Sequence, residues 1–570
     1  MVYKRTMLAV CFALSVGQVT QGSQAEVSLL PAVPAHLNQV AENATGQAKI
    51  KQGIEQAIEI ESAAWHSAQT LNLKDELNIP AIVSTFGCKT SMGAWYMEAL
   101  LAKPLTAADH VILANRRAII EFLVNNPEEK QSLEELLNAL PEYEQDIMQL
   151  MSDYFKGRTC PELLGLAVIK QSAPFMYPMS EFLELNPVGR FMKPGIAALG
   201  MTGCGAFSCY SASCGDIGSA TFFGLLGGLD GYTLYTDYST ASEKRIKMHA
   251  LNRLIDIAEQ CEVLCKKHNM PSQFKMSAIK DTVALEVIKK LKHARYKEKD
   301  TIAFITPLVH LLLFKVYENQ QALTQVFASI AELDAYNAIA TKIIEAKNKN
   351  NKFCFATFIE SEQPCVRSKG FWNVLVKDPI VNSVDEDKNV ILTGPNAGGK
   401  TTTIRSILQN ILFVQTFGIA AAESFECTMF DMIESYLHVS DDLIKGDSLF
   451  KAEVKRAQSI LEKIKTLEPG KKYFFALDEL FTGTVSEDGE ECAYQFVNRI
   501  SEFKGIQFIY ATHFKRLKEV GSNNARCANH KVGAPKRNEA GVLVYPFTFT
   551  QGANDTNIAI EIAKDAGLFA

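Results

Sequence analysis

The spacing of apolar residues divides the chain in two. Between about residues 26 and 350, apolar positions recur every three or four residues, the period of helices that bury one face. Leu133, Leu136, Leu137 and Leu140 form one such stripe, and Leu333, Tyr336 and Ile339 form another within 301–347, with charged residues between them. Near residue 351 the period changes. Short apolar runs at 389–393 (NVILT), 473–477 (YFFAL) and 506–511 (IQFIYA) alternate with amphipathic helical segments. Strands alternating with helices predict a parallel-rich α/β sheet with its ligand at the carboxyl ends of the strands. The expected architecture is multidomain: a mostly α-helical region over 26–350, then an α/β domain over 351–570.

Two segments break this plan. Residues 195–235, including GMTGCGAFSCYSASCGDIGSATFFGLLGGLDGY, carry few charges beyond Asp216 and Asp230. A small-residue helical pair in a membrane has this composition. A glycine-rich loop has it too and is preferred, because no window of about twenty residues is apolar enough to span a bilayer. At the start, Met1–Arg5 is basic, residues 7–17 (MLAVCFALSVG) are apolar, and Ser23-Gln24-Ala25 offers a cleavage site. That pattern over 1–25 resembles a secretory signal, with a buried N-terminal helix as the alternative.

A chain of 570 residues exceeds what one core supports, and its 47% apolar and 21% charged content excludes a disordered or fibrous protein. A net charge of −6 provides no global basic field, so any DNA contact falls to local patches. The 13 scattered cysteines argue for buried, reduced thiols rather than a disulfide framework. Cys204, Cys209 and Cys214 recur every five residues, and Cys261, Cys265 and His268 share a helical spacing; neither set has the C-x2-C spacing of a zinc site.

The strongest chemical signal is GPNAGGKT at 394–401, a full G-x4-G-K-[ST] motif between the apolar run 389–393 and a helical pattern over Thr402–Phe417. Gly394, Gly398 and Gly399, with Pro395, Asn396 and Ala397 between them, let the backbone curl round phosphate oxygens at a helix N-terminus. Lys400 is expected on the β and γ phosphates of ATP, Thr401 on Mg2+, and Thr402 in the first helical turn. The run 473–477 delivers Asp478 and Glu479, an acidic pair that is costly at a strand end unless its charges have work to do. Asp478 is expected in the magnesium shell and Glu479 as the base for the attacking water. A solvated acidic pair is the plainer alternative. His513, ending the run 506–511, either senses the γ-phosphate or is a satisfied structural histidine.

Together these residues resemble the MutS family of mismatch-repair ATPases. The family's P-loop, TGPNxGGKST, reads TGPNAGGKTT at Thr393–Thr402. GIAAAES at 418–424 is similar to the segment after the P-loop helix. SDDLIKGDSLFKAE at 440–453 resembles the signature loop, with Ser440, Asp441, Asp442, Gly446, Ser448, Phe450 and Glu453 in register. ALDELFTGT at 476–484, ATHF at 511–514 and YPFTFTQGANDTNIAIEIAKDAGL near the end complete the set. Residues 90–123 and 329–340 resemble parts of the family's core domain, so the likeness covers roughly 75–150 and 305–570. It implies a helical core/lever over 26–350, with a clamp-like or glycine-rich insertion at about 155–300, and an ABC-type P-loop ATPase over 351–570. It also implies a homodimer joined through the ATPase domains, in which Ser448 touches the γ-phosphate of the other subunit.

Departures accompany the resemblance. The fifty residues over 26–75 leave no counterpart for the family's mismatch-reading domains, so DNA or branched-DNA binding is expected without reading of a mispair. Leu480-Phe481-Thr482-Gly483-Thr484 lacks the family's Arg, and the adenine-stacking aromatic falls near Pro379-Ile380. The candidate DNA surface is 285–299 (LEVIKKLKHARYKEK), where Lys289, Lys290 and Lys292 either meet phosphates or form a solvated face. A competing reading is a membrane-associated ABC-like motor acting on a partner other than DNA; SDDLIKGDSLF stands where its LSGGQ signature would be. A slowly hydrolysing assembly protein is a third, opposed by the intact Lys400, Thr401, Asp478 and Glu479. ATP use favours the cytoplasm and the leader favours export.

Overall fold

The computed structural model describes residues 51–55, 71–155, 246–270, 320–437, 449–539, 541–554 and 558–568, a few single positions apart. The segments 1–25 and 195–235, the lysines 289, 290 and 292, and Ser448 lie outside the described residues. The chain forms two compact units, one from 1–54, 135–264 and 274–330, the other from 55–134, 265–273 and 331–570.

Among its described residues the first unit is helical. Pro141–Phe155 buries Ile147, Met148 and Leu150, and the helical stretch near 250 buries Leu251, Leu254 and Ile255. The Tyr143 ring meets His249 edge-on at 6.0 Å.

The second unit begins with helices at Leu71–Glu76, Ile79–Phe86, Ser91–Ala102 and His110–Asn125. Their ends are written in the sequence. Asn78 caps Ile79–Phe86 by accepting from the Ala81 amide, and Gly87 ends it with a left-handed φ of 72°. Thr90 caps the next helix and is held by Asp334 of the long helix Gln320–Ala346. The buried Asp334 carboxylate accepts from Lys89 N at 3.0 Å and from Thr90 N and Oγ1 at 2.8 Å each. Leu333, Tyr336 and Ile339 form the expected buried stripe. Among the described residues no helix is long and apolar enough to cross a membrane.

The α/β part is built on six strands: β1 (Asn389–Thr393), β2 (Met432–Tyr436), β3 (Tyr473–Asp478), β4 (Ile506–Thr512), β5 (Cys527–Val532) and β6 (Phe549–Gln551). They run in the order β6-β5-β1-β4-β3-β2, all neighbours parallel except β6 with β5. The wholly buried runs NVILT and IQFIYAT suit central parallel strands, which are covered on both faces. Their register puts Thr512 beside Thr393 and Ala511 beside Asp478, so β1, β4 and β3 end along one edge. The helices α1 (Lys400–Phe417), α2 (Leu449–Lys465) and α3 (Ser486–Ser501) follow β1, β2 and β3. Ile460, Phe475, Leu477, Val497, Ile500, Phe508 and Tyr510 share one buried core on the α2 and α3 side.

The period of apolar runs did not reveal a second, four-stranded sheet of 357–358, 424–427, 366–371 and 382–386. Its strands are short, and VRSKGF alternates buried and exposed positions instead of forming an apolar run. The helical segment and α1 also join within this unit. Buried Gln415 donates to Leu105 O at 2.7 Å and Phe430 O at 2.8 Å, and its own carbonyl accepts from Leu105 N at 3.0 Å.

Candidate active site

The loop between β1 and α1 is shaped by close approach. At Gly394, with φ 153°, a Cβ would lie 2.2 Å from Val532 Cγ2 on β5. Ala397 has a left-handed φ of 60° and Gly399 one of 95°, so the backbone curls before Lys400 opens the helix. Gly399 caps α1 without a side chain, so the amides of the first turn face outward at the positive end of an 18-residue helix. Oriented donors of this kind are an anion site.

Inside the curl, the Lys400 side chain is only 5% exposed. Its Nζ donates to Gly394 O at 3.3 Å and Pro395 O at 3.4 Å, and lies 3.5 Å from Glu479 Oε1. Burial pulls its pKa down, against the opposing pull of Glu479 and Asp478. His513 Nε2 stands 2.7 Å from Glu479 Oε1 and 2.9 Å from Lys400 Nζ. That nitrogen either donates to the carboxylate or accepts from the ammonium, according to tautomer. The hydrogen bond with His513 is the main cause holding Glu479 below the usual carboxylate range, with further help from Lys400.

Thr401 Oγ1 donates to Asp478 Oδ2 at 2.5 Å. The other oxygen, Oδ1, is buried without a hydrogen-bond partner. Burial pushes the Asp478 pKa up, and the Thr401 hydroxyl, Lys400 and Arg405 only partly offset it. A buried acceptor left open beside a hydroxyl is a pair of hard oxygen donors suited to Mg2+.

The turn after β3 is tightly specified. Glu479 and Phe481 have left-handed φ of 52° and 70°, each a strain of order 1 kcal/mol for a residue that is not glycine. Tyr510 OH donates to Leu480 O at 3.0 Å, Glu479 N to Ala511 O at 3.0 Å, and Thr482 Oγ1 to Glu479 O at 3.2 Å. Buried Glu453 accepts from Thr482 N at 3.2 Å and from Gly483 N at 3.1 Å.

A cleft of about 270 Å³ lies beside the loop, lined by Phe371, Pro379, Ile380, Gly399, Thr402 and Phe547, among others. Phe547 stacks on Tyr545 with ring centroids 5.7 Å apart and is 44% exposed. Asn382 fixes this segment, donating to Phe547 O at 3.1 Å and accepting from Phe549 N at 2.7 Å.

Comparison with known proteins bears on the C-terminal residues first. Residues 390–570 match the model of MutS domain V. Over these residues the chain carries a MutS domain V. It is 30% identical over 196 residues to the DNA mismatch repair protein MutS of Streptococcus pyogenes serotype M1, covering 34% of this chain and 22% of that one. A MutS of Lactobacillus delbrueckii subsp. bulgaricus is 27% identical over 253 residues, covering 42% and 27%. The MutS of Streptococcus sanguinis is 23% identical over 512 residues, covering 84% and 57%. The chain thus spans less than two thirds of each of these relatives.

In this MutS domain V, Gly394, Gly398, Gly399, Lys400, Thr401, Asp478, Glu479 and His513 converge at the ends of β1, β3 and β4. Thr402 faces the neighbouring cleft instead. Phe547, Asn382 and the role of Glu453 escaped the reading of the sequence. Their partners lie far away in sequence, 165 residues apart for Asn382 and Phe547.

Proposed function

We propose that this chain binds and hydrolyses Mg2+-ATP at the loop 394–401 and couples the cycle to DNA. The observation carrying the ATPase reading is the bond from Thr401 to Asp478 with the second Asp478 oxygen left open in a buried site. Thr401 and Asp478 would hold the magnesium ion, which neutralises phosphate charge when bound. The α1 amides and the loop N–H groups bind phosphate oxygens. Lys400 leaves the loop carbonyls for the β and γ phosphates. Glu479, kept ionised by His513, takes the proton of the attacking water. His513 holds that carboxylate in place. The cleft beside Thr402 receives the base, with Phe547 as its aromatic face.

Since the sequence holds one P-loop, a composite site with Ser448 acting across subunits requires a homodimer. The DNA reading is supported by the names of the relatives, which are DNA mismatch repair proteins. Lys289, Lys290 and Lys292 are the candidate phosphate contacts. The experiment is ATP turnover by the purified chain with and without Mg2+, run beside a salt titration of duplex and branched DNA in each nucleotide state. Turnover without Mg2+, or no nucleotide binding, overturns the ATPase reading. No DNA binding at low salt overturns the coupling to DNA.

A further inference from the structure

Glu453 is a buried carboxylate that the proposed chemistry does not use. It sits near the N-terminus of α2, just past the first turn, and is 1% exposed. One oxygen accepts from Thr482 N at 3.2 Å and Thr482 Oγ1 at 3.4 Å, and the other accepts from Gly483 N at 3.1 Å. All three donors belong to the turn that begins with Glu479. A buried carboxylate is costly unless satisfied, and this one is satisfied almost entirely by that turn.

Two further contacts join the same pieces. Gly483 approaches α2 so closely that a Cβ would lie 2.7 Å from Phe450 N and 2.9 Å from Leu449 Cγ. The Phe481 ring lies edge-on to Phe450 at 6.5 Å and to Phe496 at 5.8 Å. Meanwhile Glu479 and Phe481 hold left-handed backbone angles, which persist only where the surroundings over-determine them. The grip of α2 supplies that constraint.

We infer that Glu453 is a positioning residue for Glu479. Its carboxylate holds residues 479–483 in the strained turn that aims Glu479 at His513 and Lys400, so the N-terminal part of α2 governs hydrolysis without touching nucleotide. The inference rests on the proposed role of Glu479 as the base.

Single-turnover hydrolysis of radiolabelled Mg2+-ATP and the affinity of a fluorescent ATP analogue test it, in four full-length chains: wild type, Glu453→Ala, Glu479→Gln and the double variant. Glu453→Ala should slow hydrolysis at least tenfold while ATP affinity stays within about threefold. In the Glu479→Gln background the same change should cost nothing further, because Glu453 acts only through the missing base. Glu453→Gln, which keeps one acceptor for the turn, should recover part of the rate and replaces Glu453→Ala in the cycle if that chain does not fold. Wild-type rates in the Glu453 variants, or equal losses in both backgrounds, overturn the inference. A Glu479→Gln chain as fast as wild type instead removes the base assignment on which it rests.

Discussion

Thr401 donates its hydroxyl to Asp478 at 2.5 Å across 77 positions of sequence, tying the first turn of the P-loop helix to the end of β3. The bond satisfies one carboxylate oxygen and leaves the other buried and open. The charge on Asp478 is therefore held at a cost that a bound cation would relieve.

That cost predicts a stability effect. Burial raises the Asp478 pKa above the ordinary carboxylate range, so the folded chain binds this proton more tightly than the unfolded chain does. Its contribution to stability is present below the ordinary carboxylate pKa and is lost as pH rises through the raised value. At neutral pH without metal, Asp478→Asn should raise Tm by about 2–4 °C, the shift expected for roughly 1 kcal/mol. Mg2+ with nucleotide should stabilise the wild type more than the variant. A variant with lowered Tm, or one stabilised by Mg2+ as much as wild type, contradicts the metal role.

For Glu479 the sign is opposite. His513 lowers its pKa, so the ionised form contributes stability above the ordinary carboxylate range, and this is lost as pH falls through the lowered value. His513→Ala should shift the acid limb of the pH–rate profile toward higher pH and slow hydrolysis by about 10–100-fold. An acid limb that does not move would show that His513 does not tune the base.

Phe547 yields a prediction about affinity. An aromatic face against a nucleobase contributes about 1–3 kcal/mol, so Phe547→Ala should weaken ATP binding roughly tenfold. Inorganic triphosphate, lacking a base, should bind both chains alike. Equal losses for the two ligands would place the base elsewhere.

The candidate site motifs are legible in the sequence because each occupies a short contiguous stretch. Gly394 and Gly399 stand where close approach to Val532 and a left-handed cap admit little else, and NVILT and IQFIYA are apolar because both faces of those strands are covered. Long-range packing was not legible. Glu453 reads as a charge on an amphipathic helix until the fold brings it to Thr482, 29 positions away. Phe481 occupies a left-handed position with no glycine to signal it, since the neighbouring Phe450 and Phe496 hold it there. The short strands of the second sheet were hidden by their alternating burial.

Lys400 is the only side-chain cation inside the curl of the loop among the described residues, so Lys400→Ala should weaken ATP at least a hundredfold, about 2.7 kcal/mol, by equilibrium titration. Unchanged affinity would remove the P-loop assignment.

The most direct test of the central claim is single-turnover ATP hydrolysis by Glu479→Gln beside the wild type, with bound nucleotide measured in the same samples. The amide keeps the shape of the side chain and loses its basicity. The variant should bind ATP as the wild type does and hydrolyse it at least a hundredfold more slowly, retaining ATP rather than ADP. Hydrolysis at the wild-type rate would contradict the assignment of Glu479 as the base.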